Sequence, residues 1–348
     1  MPQTRATSGF PGARGAARLA AAALLLLAAC GHPASTRTDV PEPAVAPPLT
    51  AAPAGRVVPL PGGPEGLAVD AVDGIVAVGV HRPDGVALVD VRTGRRLRTV
   101  RLPGGPRHLQ LAGPRGPLLV PTEHADRLYQ LSLPDGRVLA ATPVGRQPHD
   151  AAGAGGVIFA GDEYADTVSV IRAGRQVAVL PGPTQPGGVA AAADGSTFVV
   201  VGVRGRRIEA YTPDGRSLGT APVGAGPTHV RAGAGRLFYV ADTQGDAVLI
   251  VDVGPGGPRQ VGQVPADGTP YGLAVDRTRG RVYVTLTATN QLVSFRIDGQ
   301  RLTADRVYPT VRQPNDVAVD EATGRVVVAG TADGVLQLID PAARGNGH

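Results

Sequence analysis

The sequence has one cysteine, no tryptophan and no lysine, and 3% of its residues are aromatic. Because Cys30 is the only cysteine, the chain has no intramolecular disulfide, and residues beyond Cys30 hold no catalytic thiolate or cysteine metal site. So few aromatic side chains leave no evident stacking platform for single-stranded nucleic acid. Because no disulfide can stabilise the folded chain, its stability must come from core packing.

The absence of lysine means that all 34 basic residues are arginine, against 29 acidic residues. Residues 1–29 contain three of these arginines and no acid, so the remaining chain carries 31 arginines and 29 acids, a balance of +2. A charge this close to zero does not indicate a nucleic-acid partner, and we expect none.

The N-terminus is basic up to residue 18 and has no acidic residue before Asp39. An apolar run over 19–29 follows, which is too short to span a bilayer comfortably and is typical of a signal peptide. It ends in Leu27-Ala28-Ala29-Cys30, which resembles the lipobox of bacterial lipoproteins. The resemblance implies cleavage before Cys30, lipidation of Cys30, and anchoring to the extracytoplasmic side of the cell membrane. The alternative is a secretory signal with an incidental cysteine.

The composition predicts four segments. Residues 1–29 are the signal peptide, and residues 30–54 are the lipidated cysteine with a proline-rich tether of small residues that cannot form a core. Residues 55–341 are long enough for one large β domain, and 342–348 are a polar tail.

The domain is built from seven copies of a motif centred on a proline. The prolines recur at intervals of 38 to 44 residues, at Pro64, Pro106, Pro148, Pro186, Pro227, Pro270 and Pro314. A period near 40 with short strands between turns is typical of a β-propeller. We therefore predict an all-β fold with seven blades of four antiparallel strands.

The last repeat predicts how the ring closes. It has no fourth strand after Val335–Ile339, whereas a spare strand, Arg56–Leu60, precedes the first motif. Pairing these two segments would close the seventh blade with the N-terminal strand and remove two exposed sheet edges.

Strand sequences such as Arg281–Leu286 and Leu237–Asp242 resemble the Tyr-Val-Thr-Asn repeat. The resemblance covers residues 55–340, although the second strands here lack the Asn. It implies a seven-bladed, WD40-like propeller related to bacterial proteins of the Tyr-Val-Thr-Asn family, and more distantly to lactonase-like and streptogramin-lyase-like propellers.

The residue two positions after each motif proline is expected to face one mouth of the central channel. Four of the seven are polar, namely His108, Asp150, His229 and Asp316, and the others are glycine. Imidazole and carboxylate groups at one height suit a divalent metal ion, so these four are the candidate metal ligands. The alternative is that they only hydrogen-bond neighbouring loops and water.

A second candidate ring comes from the ends of the second strands, which approach the same mouth. It comprises His81, Glu123, His124, Asp162, Glu163, Arg204, Asp242 and Thr285. Its acidic and imidazole members could bind a polar ligand, or they could be solvated loop charges.

Two functions remain open from the sequence. One is a non-catalytic binding or scaffolding propeller, held at the membrane by its lipid, with a protein or small polar ligand as its partner. The other is a metal-dependent hydrolase or lyase of lactonase-like type. The chain has no Gly-x-Ser-x-Gly, phosphate-loop or His-Glu-x-x-His motif that would favour an enzyme.

Overall fold

The computed structural model describes residues 40–341, and the predicted signal peptide, Cys30 and the 342–348 tail lie outside this range. The described chain forms seven four-stranded antiparallel sheets, which confirms the predicted all-β, seven-bladed propeller. Its helical structure is a single 3₁₀ turn, Glu123–Ala125. Within the described range, no helix is long and apolar enough to cross a membrane.

The strands follow one another blade by blade. Strand β1 is Arg56–Pro59, and blade one contains β2 Leu67–Asp70, β3 Ile75–His81, β4 Asp84–Asp90 and β5 Arg96–Arg101. Blade two contains β6 Gln110–Leu111, β7 Leu118–Thr122, β8 Arg127–Leu131 and β9 Val138–Pro143. Blade three contains β10 Pro148–Ala154, β11 Val157–Asp162, β12 Thr167–Arg172 and β13 Arg175–Pro181.

Blade four contains β14 Pro186–Ala191, β15 Phe198–Gly202, β16 Arg207–Tyr211 and β17 Ser217–Pro222. Blade five contains β18 Pro227–Ala232, β19 Leu237–Asp242, β20 Ala247–Gly254 and β21 Gly257–Pro265. Blade six contains β22 Pro270–Asp276, β23 Arg281–Leu286, β24 Gln291–Asp298 and β25 Arg301–Pro309. Blade seven contains β26 Pro314–Val319, β27 Val326–Gly330 and β28 Val335–Ile339, with β1 as its outer strand.

The ring closes as the sequence predicts. Strand β1 pairs antiparallel with β28, with Arg56 opposite Leu338 and Pro59 opposite Val335. The first strand of every blade contacts the first strand of the next, so these strands line the centre of the ring.

The hydrophobic core lies between neighbouring blades. The middle strands are apolar on both faces because each sheet is packed between two others. Between blades three and four, for example, Phe159 and Phe198 stack with ring centroids 4.2 Å apart, and Tyr211 packs against Phe159 at 5.8 Å. The outer strands are mostly exposed; β13, for instance, has no fully buried residue.

A repeated contact fixes the motif loops that form the mouth. At the hairpin between the second and third strands, a left-handed Asp or Asn accepts a hydrogen bond from the backbone of the next blade's motif loop. Such bonds run from Gln147 N to Asp126, from Gln185 N to Asp166, from Thr269 N to Asp246 and from Gln313 N to Asn290, at 2.7 to 3.1 Å. Short Asx side chains favour this positive-φ conformation, so blades two, three, five and six each hold the motif loop of the next blade.

Candidate functional site

The site at the mouth depends on an irregularity in the first strands. In blade three, Pro148 pairs with Asp162 and Asp150 with Gly161, so His149 is an extra residue in a β-bulge. The bulge breaks the alternation of the strand, and His149 and Asp150 are both buried. Blades five and seven have the same register shift.

The bulge brings three histidines together. The rings of His108 and His229 lie 4.2 Å apart, and the ring of His149 lies 4.8 Å from that of His108. All three residues are buried, and each offers a ring nitrogen within 4.8 Å of the others. We call these residues the histidine cluster. His108 and His229 are predicted members, whereas His149 was not among the candidates.

The hydrogen bonds of the histidine cluster define its tautomers. His229 Nδ1 lies 3.0 Å from the carbonyl oxygen of Tyr271, which can only accept, so this nitrogen carries the proton. In the neutral ring, His229 Nε2 then accepts from His108 Nε2 at 2.9 Å. Because His108 carries its proton on Nε2, its Nδ1 is unprotonated. This buried nitrogen has no hydrogen-bond partner among the described residues.

Two carboxylates hold His149. Its Nδ1 lies 3.1 Å from Glu163 and 3.4 Å from Glu123, which were both predicted site residues. Burial favours the neutral imidazole, but the hydrogen bonds to Glu123 and Glu163 outweigh it and raise the pKa of His149 to about 9. Burial and the neighbouring His149 lower the pKa values of His108 and His229 well below the usual range. Near neutral pH the cluster therefore contains one imidazolium and two neutral imidazoles.

Arg107 adds a guanidinium beside the cluster. It lies 3.3 Å from Glu65 and 4.0 Å from Glu123, and it donates to the Tyr271 hydroxyl at 3.5 Å. Glu65 also contacts His81 at 2.7 Å. Burial disfavours the Glu65 carboxylate, but the His81 hydrogen bond and Arg107 hold its pKa below the ordinary value.

His149, Glu65 and Tyr271 are members of the site that were not predicted from the sequence. All three directly follow a motif proline, as does Arg107. The prediction used the second residue after each motif proline, whereas the first residue after the proline would have identified these side chains.

The structure does not bring Asp150 and Asp316 into the histidine cluster. Asp150 accepts hydrogen bonds from Val189 N at 3.1 Å and from Gln110, and it lies 3.4 Å from Arg231. Asp316 accepts from Leu67 N at 2.8 Å. Burial raises the pKa of Asp316 to about 7, although the nearby Arg231 opposes this shift. These aspartates connect neighbouring blades.

Sterics explain why the other three motif positions are glycine. A Cβ on Gly66, Gly188 or Gly272 would lie within 3 Å of the backbone of the next blade, at Arg107, His229 and Asp316 respectively. The centre of the ring is therefore too narrow for seven side chains.

The residues of the second predicted ring also separate into some that join the site and others that do not. Glu123 and Glu163 join the site through His149, whereas His124 is exposed. Asp162 accepts from Gly145 N, Thr167 and Ser169, and Asp242 accepts from Ala225 N and Gly226 N, so both brace loops. Burial, only partly offset by these hydrogen bonds, raises the pKa of Asp162 to about 6.

Part of the predicted tether lies on the mouth. Ala46 is 3% exposed, and Pro41 is also buried. A cavity of about 70 Å³ is lined by Val40, Pro41 and Glu42 on one side and by His149, His229 and Tyr271 on the other. A liquid water occupies about 30 Å³, so this cavity has room for an ion with water but not for a large ligand.

Comparison with known proteins shows the fold alone. No family model and no curated protein match the sequence. Among solved structures, the chain is similar to a chain of the Kuenenia stuttgartiensis hydrazine synthase, with a TM-score of 0.69 and 16% identity over 81% of this chain and 97% of that one. It is also similar to a streptogramin B lyase, with a TM-score of 0.68 and 15% identity over 82% of this chain and 96% of that one.

A further match is the β-propeller domain of Cps50 (Swd1) from Myceliophteria thermophila, with a TM-score of 0.69 and 13% identity over 81% of this chain and 97% of that one. These names describe proteins of different kinds on one architecture. Function must therefore be argued from the site.

Proposed function

We propose that this chain is a membrane-anchored, extracytoplasmic binding propeller whose ligand is a divalent metal ion held by His108, His149 and His229. The observation that carries the proposal is the convergence of three buried imidazoles, each of which offers a ring nitrogen within 4.8 Å of the others.

The hydrogen bonds around the cluster support a metal. Metal-bound histidines commonly donate their second ring nitrogen to a carboxylate or a backbone carbonyl. His149 Nδ1 faces Glu163 and Glu123, and His229 Nδ1 faces the Tyr271 carbonyl, so both rings would bind an ion through Nε2. The ion would replace the hydrogen bond that His229 Nε2 accepts from His108. Tetrahedral nitrogen ligands at zinc lie roughly 3.3 Å apart. The His108–His229 Nε2 separation of 2.9 Å would need only a small expansion.

The surrounding charge also suits a cation. Binding would require His149 to release its proton, which would leave the carboxylates of Glu123 and Glu163 beside a neutral ring. A divalent ion would compensate both charges. Arg107 cannot do so alone, because it lies 3.3 Å from Glu65 and 4.0 Å from Glu123 and is shared between them.

A metal-dependent hydrolase or lyase is the alternative. The observation in its favour is that three protein ligands leave an open position, as in catalytic zinc sites. However, the 70 Å³ cavity beneath residues 40–42 is far smaller than the roughly 300 Å³ or more of small-molecule sites. Binding of an ion is therefore the better-supported function while this segment lies over the mouth.

The test is titration of metal-stripped protein with Co²⁺ and Zn²⁺, followed by absorption spectroscopy and calorimetry. We expect the wild type to bind a single equivalent and the His108→Ala/His229→Ala variant to bind none. His124→Ala is the matched control, because His124 is exposed and outside the cluster. Loss of binding in this control, equal binding by the double variant, or no binding by the wild type would overturn the metal assignment. Hydrolysis of lactones or esters by the loaded protein would instead favour the enzyme.

The membrane anchor and the family relationship are further parts of the proposal. The lipobox-like Leu27-Ala28-Ala29-Cys30 supports a lipid on Cys30, and the strand sequences support a place among Tyr-Val-Thr-Asn propellers. Several acyl chains on one residue give stable anchoring. Labelling by a fatty-acid analogue should disappear in Cys30→Ala, and equal labelling of variant and wild type would refute the anchor.

A further inference from the structure

The backbone of residues 40–47 is hydrogen-bonded to the propeller at the mouth. Ala44 N donates to Thr287 Oγ1 at 2.9 Å, and Ala46 N donates to Gln313 Oε1 at 2.8 Å. In return, Gln313 Nε2 donates to the Ala44 carbonyl at 2.8 Å. The side-chain amide of Gln313 therefore bonds both a backbone N–H and a backbone carbonyl of the extended segment.

Two further side chains continue this pattern. Asn290 donates to the Pro47 carbonyl at 2.9 Å, and Arg312 lies 3.5 Å from the Ala46 carbonyl. We call Thr287, Asn290, Arg312 and Gln313 the rim groove, which spans blades six and seven. The segment itself belongs to no strand of the propeller sheets. These side chains hold residues 44–47, and the buried Pro41 and the Glu42–Arg107 pair at 3.9 Å hold its beginning.

The side chains of the segment show which face the groove contacts. Val45 is 90% exposed, whereas Ala46 is 3% exposed. This alternation is that of an extended chain with one face bound. The buried face presents a small side chain, and the prolines on either side favour an extended backbone without costing hydrogen bonds to the groove.

We propose that the rim groove is a binding site for an extended, proline-rich peptide with small side chains, and that residues 40–47 occupy it in cis. The groove contacts mainly backbone atoms, so a second chain of this character would meet the same partners. Eight residues, 48–55, separate the segment from β1. A linker this short gives the segment a high effective concentration, so it excludes a free peptide unless it is released. This inference does not depend on metal binding.

Release can be achieved in the full-length protein. Changing Ala44 and Ala46 to proline removes both N–H donors while the chain length is kept. A labelled peptide with the sequence of residues 40–48 should then bind the double variant in fluorescence anisotropy, and it should bind wild type at least about tenfold more weakly. The same peptide carrying both proline substitutions is the control, and it should not bind.

Adding Gln313→Ala to the released variant should weaken peptide binding by about tenfold, because Gln313 makes two of the contacts. The proposal is overturned if the released variant does not bind the natural peptide, or if it binds the proline-substituted peptide equally well.

Hydrogen exchange gives a second test, which needs no added peptide. The Ala44 and Ala46 amides should be protected relative to the Val45 amide, which has no hydrogen-bond partner among the described residues. Gln313→Ala should then reduce the protection of Ala46. Equal exchange of all three amides would overturn the proposal.

Discussion

The junction between β1 and β28 is the point at which the ring can open, and Leu60 tests it. Leu60 is 1% exposed and packs in one core cluster with Leu336 and Leu338 of the last strand. Its amide also donates to the Gly334 carbonyl at 2.8 Å. The substitution Leu60→Ala removes this packing at the place where the ends of the chain meet.

The expected magnitude follows from its burial. A buried leucine replaced by alanine costs about 2–5 kcal/mol. In a domain of this size, 1 kcal/mol shifts the melting temperature by about 2 °C, so a decrease of about 4–10 °C is expected. Val57 lies in β1, which directly precedes Leu60, but it is 40% exposed, so Val57→Ala should change the melting temperature much less.

Leu102 is the matched control for closure. It begins Leu102-Pro103-Gly104-Gly105-Pro106, the same sequence pattern as Leu60-Pro61-Gly62-Gly63-Pro64, and it is 5% exposed. It follows the fourth strand of blade one, which is continuous in sequence with the rest of that blade. Leu102→Ala should lower the melting temperature by a similar amount, but only Leu60→Ala should release β1 locally.

Calorimetry and hydrogen exchange would measure the two effects. Exchange of the β28 amides should accelerate in Leu60→Ala and not in Leu102→Ala, because β28 loses a partner only when β1 detaches. Deleting residues 55–61 should expose β28 as an edge and promote aggregation. The closure argument fails if the deletion leaves melting unchanged, or if both leucine variants affect β28 alike.

Two other predictions concern the centre of the ring. The pKa of Asp316 is about 7 in the folded protein, above its ordinary value of 3.8, so the native state binds the extra proton and loses stability as the pH rises through 7. From pH 5 to 8 Asp316 alone accounts for a loss of about 2–3 kcal/mol. In urea unfolding, wild type should therefore lose about this much more stability over the range than Asp316→Asn, in which His149 and Asp162 still titrate; parallel pH profiles would contradict the assignment. Gly188→Ala would place a Cβ 2.8 Å from His229 Cα and should destabilise the protein by about 1–3 kcal/mol. The control is Gly256→Ala, whose Cβ would meet no atom within 4 Å and should leave stability unchanged. Equal melting temperatures of the two variants would refute the steric explanation.

The sequence predicts the fold and its closure because both depend on local signals. The recurring prolines set the period, and the incomplete last repeat with its spare Arg56–Leu60 segment identifies the strand exchange. Turns and short strands repeat with the same spacing, so one blade supports the assignment of the next.

The site was predicted only in part, because a one-residue bulge decides which side chains share a centre. Counting two positions after each proline finds His108 and His229, and it also finds Asp150 and Asp316, which contact the backbone of neighbouring blades instead. His149 enters the cluster because it is the extra residue of the bulge. A regular alternation of side chains cannot anticipate this position.

The packing of residues 40–47 on the propeller could not be predicted from their composition either. A proline-rich segment of small residues cannot form a core of its own, and this much follows from sequence. Its binding depends on side chains more than 240 positions away, at Thr287, Asn290 and Gln313. Their hydrogen-bonding capacity is visible in the sequence, but their arrangement along one groove is a product of the fold.

The centre of the ring separates groups that hold the blades from groups that could hold an ion. Asp150 and Asp316 bond to the backbone of blades four and one, and Arg231 lies beside Asp150, so their hydrogen bonds do not require a metal. The histidine cluster makes few such bonds. Among the described residues, the His229 ring bonds one backbone carbonyl, and the His108 ring hydrogen-bonds only to His229. Metal binding should therefore not be required for folding, unlike in domains whose folding depends on zinc. For this reason a His108→Ala/His229→Ala variant that remains folded can report on the ion alone.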